Sequence, residues 1–465
     1  MFYFVKFVQF VAEAFAAVRR ATALVKAPPD NALELTLVLI NNWIADRLKD
    51  ALSTRWQRTL YILFFAQLIT AVGFSSIFPF LPLYVEALGT STNLSVEFLA
   101  GMVFSAQAFT MMIASPIWGT LSDRYGRKLM VVRSMLGGSV ILLLMAFVHT
   151  AEQLVLLRAI QGFITGTLAA SNALVASVAP RKQTGYAMGL LQVGLGSGVA
   201  LGPVIGGALA DAYGYGAAFY VTAALLFLAG ILVLFGVRED FDPSQHNPGK
   251  RDGFLDSWRQ ILLAPGVAMT YTMRFISQLG RMMIIPIAPL FIQTLLSESA
   301  RLNTFTGLVI GSAAAATTIS AVYLGRLGDR IGHRRIFIAC AILGALLYLP
   351  QSLVTAGWQL LVLQALVGIS LGGIIPAISA LLARYTRVGE EGSVYGLDNS
   401  INAGARSLAP LIGAGVAIWF GLRATFIATA LLFLLMGLLA TRFLPQPEVP
   451  REEREIAELT RDDRL

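Results

Sequence analysis

The sequence predicts an all-α integral membrane protein with twelve transmembrane helices in two pseudo-symmetric six-helix halves, preceded by an amphipathic helical extension. Three observations predict it. Of 465 residues, 56% are hydrophobic and only 13% charged, against about a quarter charged in a soluble domain. Apolar runs of spanning length follow one another, with one long polar interruption near the middle. A charged turn, GTLSDRYGRK at residues 119–128, recurs as GRLGDRIGHR at 325–334, at equivalent points of the two apolar halves.

Residues 1–52 do not form a clean span. Phe4, Val8, Val11, Phe15 and Val18 recur at helical spacing, but Lys6, Glu13, Arg19 and Arg20 interrupt them. Pro28-Pro29 breaks the pattern, and Asn31 with Glu34 reads as a capping box opening a second apolar stripe. Two helices lying on the membrane surface fit this pattern, and no signal-peptide cleavage site is evident.

Each span needs about 20 apolar residues. They are expected at 58–85, 98–121, 129–149, 153–178, 185–210, 217–237, 266–296, 304–326, 335–355, 358–384, 393–420 and 424–443. The corresponding domains are the extension 1–52, a first half 53–240, a linker 241–263, a second half 264–445 and a charged tail 446–465. The halves echo each other beyond the charged turns. Gly162 and Gly166 align with Gly368 and Gly372, while Gly189, Pro203 and Gly206 align with Gly396, Pro410 and Gly413.

Lysine and arginine set the orientation. With a cytoplasmic N-terminus, that side collects Arg55, Arg58, Arg124, Arg127, Lys128, Arg181, Lys182, Arg238, Lys250, Arg251, Arg330, Arg334, Arg335, Arg384, Arg387 and the tail, while the opposite loops hold Arg301 and Arg423. The asymmetry puts both termini in the cytoplasm of a cell-membrane protein. It also accounts for the net charge of +8 without nucleic acid. The lone Cys340 lies in an apolar run and reads as core, and His149, His246 and His333 have no metal-ligand spacing. With no nucleophile–base pair and no phosphate loop, neither an enzyme nor an ATP-driven pump is expected, and no cofactor.

Four motifs make the chain resemble the major facilitator superfamily across residues 55–445, and the resemblance implies that family's fold. The first is the turn Gly119, Asp123, Arg124, Gly126, Arg127 and Lys128, with Asp329 and Arg330 in its copy; the second is Arg158 with Gln161 and Gly162. The third is the string Gly189, Gly198, Gly202, Pro203, Gly206 and Gly207 in span 5, and the fourth is Gly73, Pro79 and Pro82 in span 1. The third, complete here, is similar to the signature of proton-coupled drug antiporters in that family. The resemblance implies a gating role for the turns, a seal of the outer half for the glycine string, and a part in proton transfer for Arg158. The alternatives are a topology signal, generic helix packing, and an arginine snorkelling to the outer interface.

Where many cation exporters of the family carry a deep carboxylate in the first spans, this chain has none. Its deep charges are mainly Arg158, Arg274, Arg281 and Arg406. Arg274, Gln278 and Arg281 share one face of span 7, and Asp398, Asn402 and Arg406 share one face of span 11. Charges inside a membrane face protein or a wet cavity, so these residues are expected to line a positive cargo cavity. Asp398 is expected to pair with Arg406 or Arg274 and, with Arg158 and Asp123, to couple protons. Aromatic and Met patches, such as Phe104, Phe109, Met111, Met112, Met282 and Met283, fit either an adaptable cavity wall or a lipid face. The expected function is export of amphiphilic small molecules by proton antiport, with proton-coupled uptake of an organic anion or lipid flipping as alternatives. The expected partners are a small-molecule substrate, protons and membrane lipid, with the chain a monomer.

Overall fold

A computed structural model describes residues 55–166, 171–172, 174–175, 180, 183–239, 266–296, 301–385 and 391–444. The predicted surface helices of 1–52, the linker 241–263 and the tail 446–465 lie outside the described residues, as do the side chains of Asp123 and Arg124. All regular structure among the described residues is helical. Among the described residues, nine helices are long and apolar enough to cross a membrane, ten if one bent pair counts as a single span.

The first span is α1 (Arg55–Ser76) and α2 (Leu81–Leu88). The sequence predicts one helix over 58–85, but Pro79 lacks a donor and Pro82 sits in the first turn of α2, so the chain breaks and restarts. The first span of the second half behaves alike: α7 (Val267–Met283) and α8 (Ile287–Leu295) meet at Pro286 with a 40° bend. Pro79 and Pro286 occupy equivalent repeat positions.

Between these lie α3 (Val96–Tyr125), α4 (Arg127–Met145), α5 (Ala151–Ile164) and α6 (Thr184–Gly236). At 53 residues, α6 runs about 80 Å, the length of two crossings, and Gly214 (φ 82°, ψ 168°) breaks its helical path into spans 5 and 6. Helix α5 ends at Ile164, so the span expected to run unbroken to residue 178 is interrupted at residues 165–166, although residues 171–172 and 174–175 are helical again. Gly166 has φ 146°, and the freed Phe163 carbonyl accepts from Trp118 Nε1 at 2.6 Å. The second half continues with α9 (Leu302–Ile331), α10 (His333–Tyr348), a 3-10 turn (Leu349–Leu353), α11 (Gly357–Tyr385), α12 (Glu391–Phe420) and α13 (Leu422–Phe443).

Each half buries its own apolar core. One centres on Phe291, Phe337, Phe426 and Phe433, and another on Phe80, Leu81, Leu142 and Phe219. Exposed Phe235, Trp419 and Leu346 face outward, as lipid-facing residues do. The halves also pack by one plan. A methyl on Gly162 would strike the Gln107 carbonyl, and one on Gly368 the equivalent Ala313 carbonyl. Gly206 abuts the backbone of Ser76 and Gly413 that of Met283. Across the seam, Gly307 abuts Pro203 and Gly101 abuts Pro410. Close backbone approach of this kind needs a missing side chain.

These seam contacts lie on one side of the molecule. We call the side bearing the charged turns the hairpin face and its opposite the far face. Gly101, Gly207 and Gly307 lie toward the far face, where the halves touch. Toward the hairpin face, Gly119, Gly185 and Gly189 have no atom of the described residues within 4 Å of where a Cβ would stand. Among the described residues, the glycine contacts that join the halves lie toward the far face.

Candidate functional site

Span 7 and span 11 meet through a polar network within their helical stretches. Arg274 on α7 donates Nη2 to Asp398 Oδ2 on α12 at 3.1 Å. Asn402 donates Nδ2 to the same carboxylate at 3.2 Å and to the Asp398 carbonyl at 3.0 Å. Tyr271 donates its hydroxyl to the Val394 carbonyl at 2.9 Å. Of the two partners expected for Asp398, the structure selects Arg274. The pair is mostly enclosed, and Arg274 Nε and Asp398 Oδ1 lack a hydrogen-bond partner among the described residues. A buried pair with unused valence is stable only while both partners keep their charges.

Arg158 comes from the other half and has 0% exposure, which removes the snorkelling alternative. Its Nε donates to the Val103 carbonyl at 3.2 Å and its Nη1 to Gln161 Oε1 at 2.7 Å, and it stands 5.7 Å from the Phe104 ring centre. Arg158 Nη2 and Gln161 Nε2 remain enclosed without partners among the described residues. Arg406 lies within electrostatic reach of Arg158 across the seam and of Arg281 within its own half. It is exposed despite its depth, whereas its neighbours Ala405 and Ala409 are fully buried. Gln278 and Arg281 are half-buried on the face of α7 that carries Arg274. Arg158, Arg274, Arg281 and Arg406 therefore lie within electrostatic reach of one another in a chain of contacts, with Asp398 the carboxylate paired among them in the described residues.

The aromatic and Met patches divide. Phe104 and Met283 are core, Phe109 is exposed, and Met111, Met112 and Met282 are half-buried.

The turns are built as the sequence predicts, with Gly126 and Gly332 both at φ 98°. Their anchors were not foreseen. Glu239, past the end of span 6, accepts from the backbone of Arg127 at 3.0 Å and of Lys128 at 2.7 Å, capping α4. In the second turn Arg334, the counterpart of Lys128, donates to the Thr441 carbonyl at 2.6 Å at the end of α13. Each turn is thus tied to the last span of its own half. Asp329 meets His333 at 3.0 Å, and Arg330 is exposed.

The glycine string divides by partner. Gly198, Gly202 and Gly206 lie against α1, Gly207 lies against Asn303 of α9, and Gly189 touches nothing within 4 Å. The string seats span 5 between span 1 of its own half and span 8 of the other.

Sequence reasoning missed Asp211 as well as Glu239. Both stand just beyond apolar runs, where a carboxylate reads as solvated. Their signal was the absence of a side-chain cap at the helix each serves: Gly126 and Arg301 offer none.

The Major Facilitator Superfamily family model matches residues 63–273 and 270–462. The chain is 37% identical over 382 residues to the multidrug resistance protein MdtG of Enterobacter lignolyticus, covering 82% of this chain and 90% of that protein. It is 38% identical over 383 residues to MdtG of Serratia proteamaculans, covering 82% and 92%. Among solved structures, a bacterial homologue of the human lysosomal transporter Spinster, inward-facing and occupied, superposes with a TM-score of 0.72 at 13% identity, covering 84% of this chain and 98% of that one. A discontinuous span opening each half, a shared packing plan and a charged core accord with these matches, and the chain belongs to the Major Facilitator Superfamily of membrane transporters.

Proposed function

We propose that the chain exports amphiphilic small molecules by proton antiport, alternating between a cavity open to the cytoplasm and one open outside. The observation that carries the reading is the Arg274–Asp398–Asn402 network, set beside Arg281 and Arg406 and facing Arg158 from the other half. The naming of relatives at 37–38% identity as multidrug resistance proteins supports export. The positive-inside count supports a cytoplasmic hairpin face.

A proton arriving at Asp398 removes the charge that holds Arg274, so spans 7 and 11 exchange partners. Such an exchange shifts the carrier only because proton and cargo each bind one state better than the other. A potential of 100 mV supplies about 2.3 kcal/mol per proton charge, enough to hold roughly a fiftyfold gradient of neutral cargo. Arg158 and Arg406 repel across the seam, and cargo bearing an acidic group relieves that repulsion. This favours anionic, zwitterionic or neutral amphiphiles over lipophilic cations. It also favours a second reading, proton-coupled uptake of an organic anion.

The test is flux in reconstituted vesicles under an imposed pH gradient, with acidic, neutral and cationic amphiphiles, in wild type and Asp398→Asn. Antiport predicts cargo moving against the proton flow, lost in Asp398→Asn while cargo–cargo exchange persists. Cargo moving with the protons selects the uptake reading, and gradient-insensitive flux removes both.

A further inference from the structure

Helix α9 opens span 8 at the far face, and its capping residue position is Arg301, which offers no side-chain cap. The equivalent residue in the first half is Ser95, whose hydroxyl accepts from the Phe98 amide at 3.3 Å and caps α3 from within. The second half has lost that internal cap. In its place stands Asp211, at the end of span 5 in the opposite half. Its Oδ1 accepts from Asn303 N at 3.1 Å and Asn303 Nδ2 at 2.7 Å, and its Oδ2 from Thr304 N at 2.7 Å and Thr304 Oγ1 at 2.6 Å. A carboxylate taking four donors at a helix N-terminus is doubly favoured, by the orphan amides and by the helix dipole.

The bonds cross the seam three residues before the Gly214 break, near Gly207, which abuts the Asn303 backbone of the other half. They join the two halves directly, so separating the halves at the far face would break them. We infer that Asp211 is a latch for transport: a cap supplied by the first half to the second, whose release is a required step in opening the cavity to the far side. The inference rests on the alternating-access reading and adds a residue to it. Placing the cap in trans makes the end of span 8 satisfied in one state and orphaned in the other, biasing the resting carrier toward the closed far face.

The experiment separates a latch from an ordinary helix cap. Spin labels are placed at Asn93→Cys and Thr355→Cys, exposed far-face positions in the two halves, with the buried Cys340 changed to Ser. Distances are measured by pulsed EPR in reconstituted protein across a range of pH. Asp211→Ala is expected to raise the ratio of long to short distances roughly three- to thirtyfold, the range that loss of one N-cap implies. Asp211→Ala with Arg301→Ser gives α9 an internal cap like that of Ser95. This double variant is expected to regain thermal stability yet keep the long distance, because an internal cap does not join the halves. If the double variant returns to the wild-type ratio, or if Asp211→Ala leaves the ratio unchanged, Asp211 is a structural cap and the latch is overturned. A wild-type chain with one distance at every pH would sink alternating access, and the latch with it.

Discussion

Gly206 and Gly207 are neighbours in sequence, and the structure gives them different jobs. A methyl on Gly206 would meet the Ser76 carbonyl carbon at 2.5 Å and Cα at 2.7 Å, within one half. A methyl on Gly207 would meet the Asn303 carbonyl carbon at 2.6 Å, across the seam. Overpacking costs about 1–3 kcal/mol, offset by up to about 1 kcal/mol of helix propensity gained from Gly to Ala. For Gly206→Ala both terms are present in either state of the carrier. The protein should lose thermal stability with its two states in unchanged ratio. For Gly207→Ala the propensity gain cancels between states, while the clash is felt only when the far face is shut. The far-open state should rise by roughly 5- to 150-fold, with thermal stability little changed. Gly189→Ala, with nothing within 4 Å, should match wild type in both measurements. Melting in detergent and the label pair at Asn93→Cys and Thr355→Cys read the two quantities separately. Equal behaviour of the Gly206 and Gly207 variants would refute the division between packing within a half and packing across the seam.

The other expectations concern charge and backbone. Arg158→Lys should lower efflux at least tenfold while the protein still folds, because a single ammonium cannot reproduce the fork that holds both the Val103 carbonyl and Gln161; unimpaired efflux at saturating cargo counts against that role. Arg406→Glu should reverse the cargo preference from acidic toward cationic amphiphiles by an order of magnitude in competition assays, and an unchanged ranking ends the idea of a positive cavity. Glu239→Gln should cost about 1 kcal/mol in thermal unfolding through the weakened cap on α4, and Glu239→Ala more, with no change in cargo ranking. Gly332→Ala should cost about 1–2 kcal/mol from backbone alone, since φ is 98° and no atom lies within 4 Å of the new methyl; a melting point equal to wild type would show that the turn relaxes.

The parts of this architecture that residues encode locally were legible. Apolar length marked the helices, and the repeated Gly-Asp-Arg-Gly pattern marked both turns. Helical spacing brought Asp398, Asn402 and Arg406 to one face. What escaped was set by partners distant in sequence. The choice of Arg274 over Arg406 for Asp398 depends on how α7 lies against α12, which periodicity does not encode. Helix α5 stops at Ile164 because Gly166 leaves the helix and Trp118 takes the freed Phe163 carbonyl, whereas composition reads straight through. Gly189 fits the motif, yet a methyl there would meet no atom of the described residues within 4 Å, so matching a pattern and bearing a contact are separate properties. The caps from Glu239 and Asp211 reach backbone amides 112 and 92 residues away.

Duplication explains why the charges can be uneven while the backbone is symmetric. The repeat equivalents of Arg274, Arg281, Asp398 and Arg406 are Gln67, Phe74, Leu191 and Val199 in the first half. The glycine contacts that fix helix spacing recur in both halves, so the scaffold needs none of the charged groups. The ionisable network is therefore concentrated in spans 7 and 11, where losing one proton's worth of charge is felt within a single half. Arg158 alone answers from the first half, and it does so through Arg406, its like-charged neighbour across the seam. Repulsion at mid-depth works against holding the halves together, while glycine packing and the Asp211 bonds at the far face work for it. On the proposed alternating-access reading, a carrier balanced in this way rests shut on one side without being locked there, because each opposing term depends on a group that cargo, a proton or a small hinge rotation would reach.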